Sequence, residues 1–262
     1  MIRVALNALF ALALLGGAPL SSQTPAPAKG PDKEVAEKIV LLKECVMDKK
    51  MARDAEGVAA IDVLVQKLQA GVEDKDRLAI AKALDGALTQ GKLRPHDNIS
   101  LYSAAAVALG YCGLDGAKVL KAAYENKRYP KRKEWAPLRE FFLRSLGKTK
   151  EESMAKFLTE EAVNNTEAAL MAAAGEALGN YEEAKEAVRK EIVSDLIKKW
   201  GEEEELASQL GSGNMQALNA KDRLSAFLDK WNATLAKLTR QNFKKHLEWQ
   251  NWHNKNRNAS WQ

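Results

Sequence analysis

Side chains that carry out chemistry are scarce in this chain. Its 262 residues hold two cysteines and three histidines. Cys45 and Cys112 could close only one bridge, which excludes a small disulfide-stapled scaffold. Nothing in the sequence places them within the roughly 7 Å between Cα atoms that a bridge needs, so two buried thiols are expected. None of His96, His246 and His253 lies in a His-Glu-x-x-His motif, and none directly precedes a glutamate. His246 and His253 could share a helix face, but two ligands without a cysteine or a carboxylate pair make a poor zinc site. No metal and no cofactor are expected. The phosphate-cradling Gly-x-x-x-x-Gly-Lys-Ser/Thr loop and the Gly-x-Ser-x-Gly elbow are both absent. Carboxylates are plentiful, but pairs four apart arise on any charged helix and mark no acid/base site.

Long apolar runs are lacking beyond Leu15, so no membrane span is expected in the mature chain. The first residues do contain a short run. Arg3 precedes Val4 to Leu15, broken only by Asn7, and the small residues Gly16, Gly17, Ala18, Ser21 and Ser22 follow. This pattern predicts an export signal over 1–22, cleaved after Ala18 or Ser22, and a periplasmic or extracellular location. Residues 23–32 carry Pro25, Pro27 and Pro31 and no large apolar side chain, as a flexible spacer does.

β-Branched runs are few, while Ala, Leu, Glu and Lys are common, which favours helix. One phrase recurs: an apolar run closed by Leu109-Gly110, by Leu146-Gly147 and by Leu178-Gly179. A second helical pattern follows each. Their spacing matches helical-hairpin repeats, units that bury an apolar face only by stacking on neighbours. Apolar residues at helical spacing predict helices over 33–49, 55–69, 75–89, 99–109, 115–125, 135–146, 151–163, 166–178 and 181–200. In the third, Leu78, Ala81, Leu84 and Leu88 are expected to face inward. Residues 201–220 read as a linker: Gly201 breaks the pattern, Glu202 to Glu205 form a solvated acidic run, and Gly211-Ser212-Gly213-Asn214 favours a turn.

Residues 221–262 are distinct. They hold nine Lys and Arg against three acidic residues, a surplus larger than the +5 of the whole chain. They also hold Trp231, Trp249, Trp252 and Trp261, four of the six tryptophans. Leu224, Phe227, Leu228, Trp231, Leu235 and Leu238 form one apolar stripe, expected to cover the last repeat, and Trp261 lies outside it. A final helix is expected over 243–255. Interleaved cations and rings can alternatively grip an anionic polymer, with Lys244, Lys245, Trp249, Trp252 and Arg257 as candidate binding residues. The Lys127 to Lys133 cluster reads as a solvated loop, or else as an anion-binding patch.

The repeats resemble the HEAT family. The match rests on Ala-Leu-Gly at the end of the first helix, a turn at Asp115-Gly116 or Asn180, and Leu120 or Phe157-Leu158 further on. It covers residues 98–200 well and 33–92 loosely. The tail phrase Leu235 to Phe243, followed by Trp249-Gln250-Asn251-Trp252, is similar to the end of exported bacterial HEAT-repeat proteins. There a Leu-Thr-Gly-Gln-aromatic phrase is usual, and Arg240 stands here where that phrase has Gly. The resemblance implies an all-α, right-handed solenoid of helical hairpins over 33–200 with a helical cap. It implies an exported protein and brings no activity. The expected function is a non-enzymatic scaffold that binds another protein. The alternatives are a binding module for nucleic acid or cell-wall glycan through the tail, and an enzyme on a HEAT scaffold.

Overall fold

The computed structural model describes residues 32–209 and 214–261. The signal over 1–22, nearly all of the spacer over 23–32 and the Gly211–Gly213 turn lie outside these residues. The described chain is all-α, with eleven α-helices and no strand. They are α1 (Lys33–Met47), α2 (Asp54–Ala70), α3 (Asp74–Thr89), α4 (Ser100–Leu109), α5 (Gly113–Glu125) and α6 (Ala136–Lys148). Then follow α7 (Ala155–Asn164), α8 (Ala168–Leu178), α9 (Glu186–Ser208), α10 (Met215–Thr239) and α11 (His246–Asn256). None is long and apolar enough to cross a membrane.

Local chemistry sets several ends. The Asp32 carboxylate accepts hydrogen bonds from the backbone N–H groups of Glu34 and Val35 and so caps α1. Gly71, at φ 90°, ends α2 in a conformation that side chains disfavour. Arg240 ends α10 at φ 58° and ψ 24°, in the left-handed region without the freedom of a glycine.

The even-numbered helices pack in series: α2 on α4, α4 on α6, α6 on α8 and α8 on α10. Of the odd-numbered helices, α3 packs on α1 and α5, and α9 on α7 and α11. The recurrent Leu-Gly phrase has a role in that series. Leu109, Leu146 and Leu178 are buried at equivalent places. Each following glycine lies against the next even helix or the end of it. A Cβ on Gly110 would come within 3.1 Å of the Ser145 carbonyl oxygen, one on Gly147 within 2.8 Å of the Ala177 Cβ, and one on Gly179 within 3.0 Å of Thr234 Oγ1. Gly110 and Gly179 have ordinary helical φ, so close approach and not backbone freedom explains them.

Three buried arginines hold helix ends. Arg94 Nη2 donates to the Cys45 carbonyl in the last turn of α1. Arg139 Nη1 donates to the Tyr124 carbonyl in the last turn of α5, at 2.7 Å. Arg189 Nη1 donates to the Leu238 carbonyl in the last turn of α10, at 2.9 Å. Each places a cation where the helix dipole is negative and where orphan carbonyls need donors. Cys45 and Cys112 are both buried, free thiols, and burial pushes the Cys112 thiol up to about 12.

Four expectations need correction. Leu78 is 39 % exposed; Ala81, Leu84 and Leu88 are buried as expected, and Ile80, Ala83 and Ala87 are buried beside them, because α1, α4 and α5 all pack on this helix. Residues 201–208 are helical, and α10 begins at Met215, so both neighbouring helices extend into the segment read as a linker. The acidic run is not uniformly solvated: Glu203 is 1 % exposed and pairs with Lys199 at 2.9 Å and with Arg223 at 2.7 Å. Arg223 lies on α10, so this carboxylate joins the two helices. Gly201 does not break α9. It makes room for the His246 ring, whose Cε1 would stand 2.7 Å from an added Cβ.

Candidate binding sites

The tail is mostly packed. On α10, Phe227, Trp231, Leu235 and Leu238 are buried, as the apolar stripe requires. The Trp231 indole lies on α8, where Nε1 donates to the Met171 carbonyl at 3.4 Å, and it stacks on Phe227 with centroids 3.9 Å apart. Thr234 Oγ1 donates to the Gly175 carbonyl at 2.8 Å. Small residues on α8 from Ala172 to Gly175 permit this approach.

The five candidate tail residues separate into two kinds. Trp249 is fully buried, its Nε1 donating to Asn232 Oδ1 at 2.7 Å and its ring meeting Phe243 edge-on. That ring is committed to packing. Trp252 is half-buried against Trp261, with centroids 5.0 Å apart. Trp261, outside the α10 stripe, is also buried: it donates to the Asn256 carbonyl, and its own carbonyl accepts from Arg189. Lys244, Lys245 and Arg257 are exposed. The Glu248 carboxylate accepts from the backbone N–H groups of Lys244 and Lys245 at 3.1 and 3.0 Å, which holds its pKa below the ordinary 4.5.

His246 and His253 do share a face, and both line a cavity of about 370 Å³ with Ile197, Gly201 and Glu205. His246 Nε2 lies 3.0 Å from the Ile197 carbonyl oxygen. Burial, and then the nearby Arg257 charge, hold the His253 pKa below its ordinary 6.5.

A second cavity, of about 440 Å³, lies between the loop before α6 and the α7–α8 junction. Lys131, Arg132, Lys133 and Arg139 line one part of it, and Glu160, Glu161, Asn164, Asn165 and Glu167 another. Arg139 is 1 % exposed, with its guanidinium carbon 3.9 Å from the centroid of the Tyr124 ring. Its Nη1 donates to the carbonyls of Tyr124 and Tyr129. Its Nε and Nη2 are buried and have no hydrogen-bond acceptor. The Tyr124 hydroxyl donates to Glu161, and Asn165 Nδ2 donates to the same carboxylate oxygen at 2.7 Å. Burial first, and then this bond to Glu161, push the Tyr124 phenol well up, so it remains a donor at neutral pH.

Sequence reading did not find this cavity. It gave the Lys127 to Lys133 cluster two readings and passed over Arg139, which sits in a helix among apolar neighbours. The one available signal was a charged residue at a core-facing position beside Leu138, Phe142 and Leu143. No family model, no curated protein and no solved structure matches this chain.

Proposed function

We propose that this protein is an exported, non-enzymatic scaffold that binds another protein, built as a right-handed, HEAT-like α-solenoid with α10 and α11 closing its C-terminal end. The observation that carries this reading is the serial packing of α2, α4, α6, α8 and α10, with a glycine at each of the three later contacts. Stacks of that kind present an extended surface along the row, and such surfaces serve recognition. Large apolar residues remain exposed at three places along the row, Tyr111 just after α4, Phe141 on α6 and Leu218 on α10. Export rests on Arg3 and the Val4 to Leu15 run.

The polymer-binding alternative draws less support, because Trp231, Trp249 and Trp261 spend their rings on packing. Site-specific photocrosslinking in living cells tests the leading reading. Benzoylphenylalanine placed singly at Tyr111, Phe141 and Leu218 should give adducts with the same discrete protein from neighbouring positions. No protein adduct from any of them, or adducts with nucleic acid or glycan alone, would overturn it.

A further inference from the structure

The chain uses one edge of its arginines repeatedly. Arg94 holds the Asp54 carboxylate through Nε, at 3.0 and 3.1 Å, and through Nη2, at 2.7 Å. Arg223 holds one oxygen of Glu203, Oε2, through the same two nitrogens, at 2.9 and 2.7 Å. This side-on fork matches the spacing of two carboxylate oxygens. Arg139 leaves that same edge without an acceptor. Its Nη1 is fixed by two carbonyls and its face by the Tyr124 ring, so the guanidinium is held in place with the fork unused. A buried cation without a counter-charge is costly, and the residue lines a cavity of about 440 Å³. Glu161, which lines the same cavity, is already engaged by Tyr124 and Asn165.

We propose that this cavity is a binding site for a carboxylate monoanion, received by the Nε–Nη2 edge of Arg139. The charges around it set the class. Four cations, Lys131, Arg132, Lys133 and Arg139, face three acids, Glu160, Glu161 and Glu167, which leaves one positive charge in excess. One negative charge balances that excess, whereas a phosphate dianion would bring its second charge against three carboxylates. The volume falls toward the low end of the roughly 300–1,000 Å³ of small-molecule pockets, so the ligand is small or is the end of a chain. Lys131 and Lys133 are exposed on the rim and attract the anion without holding it. A free small acid and the C-terminus of a peptide offer the same group.

The test is an NMR titration of the full-length ¹⁵N-labelled protein, reading the Arg139 Nε–H resonance. The probes are acetate, acetyl-diglycine, acetyl-diglycine amide and inorganic phosphate. A saturable shift with either carboxylate, and a much weaker one with the amide, is expected. Acetate and acetyl-diglycine binding alike identifies a free small acid; acetyl-diglycine binding far better identifies a peptide terminus. Arg139→Lys keeps the cation but loses the fork, and should weaken carboxylate binding about tenfold or more. Lys131→Gln with Lys133→Gln changes only exposed side chains. It should keep the Arg139 shift at saturation, weaken binding several-fold and flatten its salt dependence. No saturable Arg139 shift with either carboxylate, equal binding of acid and amide, or phosphate bound at least as well as carboxylate would overturn the proposal.

Discussion

The indole of Trp231 lies directly on Gly175. A methyl group at position 175 would overlap Nε1 and Cδ1 of the ring, and Nε1 donates to the Met171 carbonyl one turn earlier on α8. Alanine is favoured over glycine in a helix by about 1 kcal/mol. Forcing atoms into a filled core costs about 1–3 kcal/mol, and a rigid ring over backbone calls for the upper end. Gly175→Ala should therefore lower stability by a net 1–2 kcal/mol or so in urea unfolding. A neutral or stabilised variant would show that α10 can move off α8 freely.

Arg240 holds a left-handed conformation, which costs a side-chain-bearing residue roughly 1–2 kcal/mol. Glycine removes that strain but gains freedom in the unfolded chain. Arg240→Gly should stabilise the protein by about 0.5–1 kcal/mol. A loss of stability would mean that Arg240 makes contributions beyond its backbone.

Leu146 is buried at the middle repetition of the Leu-Gly phrase. Leu146→Ala should cost about 2–5 kcal/mol, depending on how far the site collapses. A change below about 0.5 kcal/mol would place the residue outside the core.

His253 titrates below its ordinary 6.5, because burial and then Arg257 disfavour its charged form. The unfolded chain thus takes up this proton more readily than the folded one. The stability the neutral ring contributes is fully present above about pH 6.5 and is lost as pH falls through the lower folded value. The urea midpoint should drop between about pH 7.5 and pH 5.5, and His253→Gln should reduce that drop. An identical pH slope in the variant would remove His253 as the cause.

Much of this fold was legible in the sequence. Periodicity placed the helices of the described residues, most of which bury apolar side chains at helical spacing, and the Leu-Gly phrase located three buried leucines. Composition misled at 201–208. A glycine beside four glutamates looks like a break, but α9 continues because Arg223, twenty residues on, neutralises Glu203 and because Gly201 admits His246. Trp249 looked available for ligands, and only its tertiary partners, Asn232 and Phe243, reveal it as core. Arg139 was illegible for a similar reason. Its environment is assembled from α5, α6, α7 and the loop before α6, and no local pattern records which edge of a guanidinium stays unpaired.

The central claim is that residues 215–261 are the last members of one helical stack and not a detachable arm. Thermal unfolding of the full-length protein beside a chain ending at Ser208 tests it most directly. Loss of the Trp231 contact alone corresponds to about 3–5 kcal/mol, or roughly 2–4 °C per kcal/mol for a protein of this size. The shortened chain should therefore melt at least about 10 °C lower and bind a dye that reports exposed apolar surface. Equal midpoints with no added dye binding would contradict the account and return the tail to the role of a ligand-binding arm.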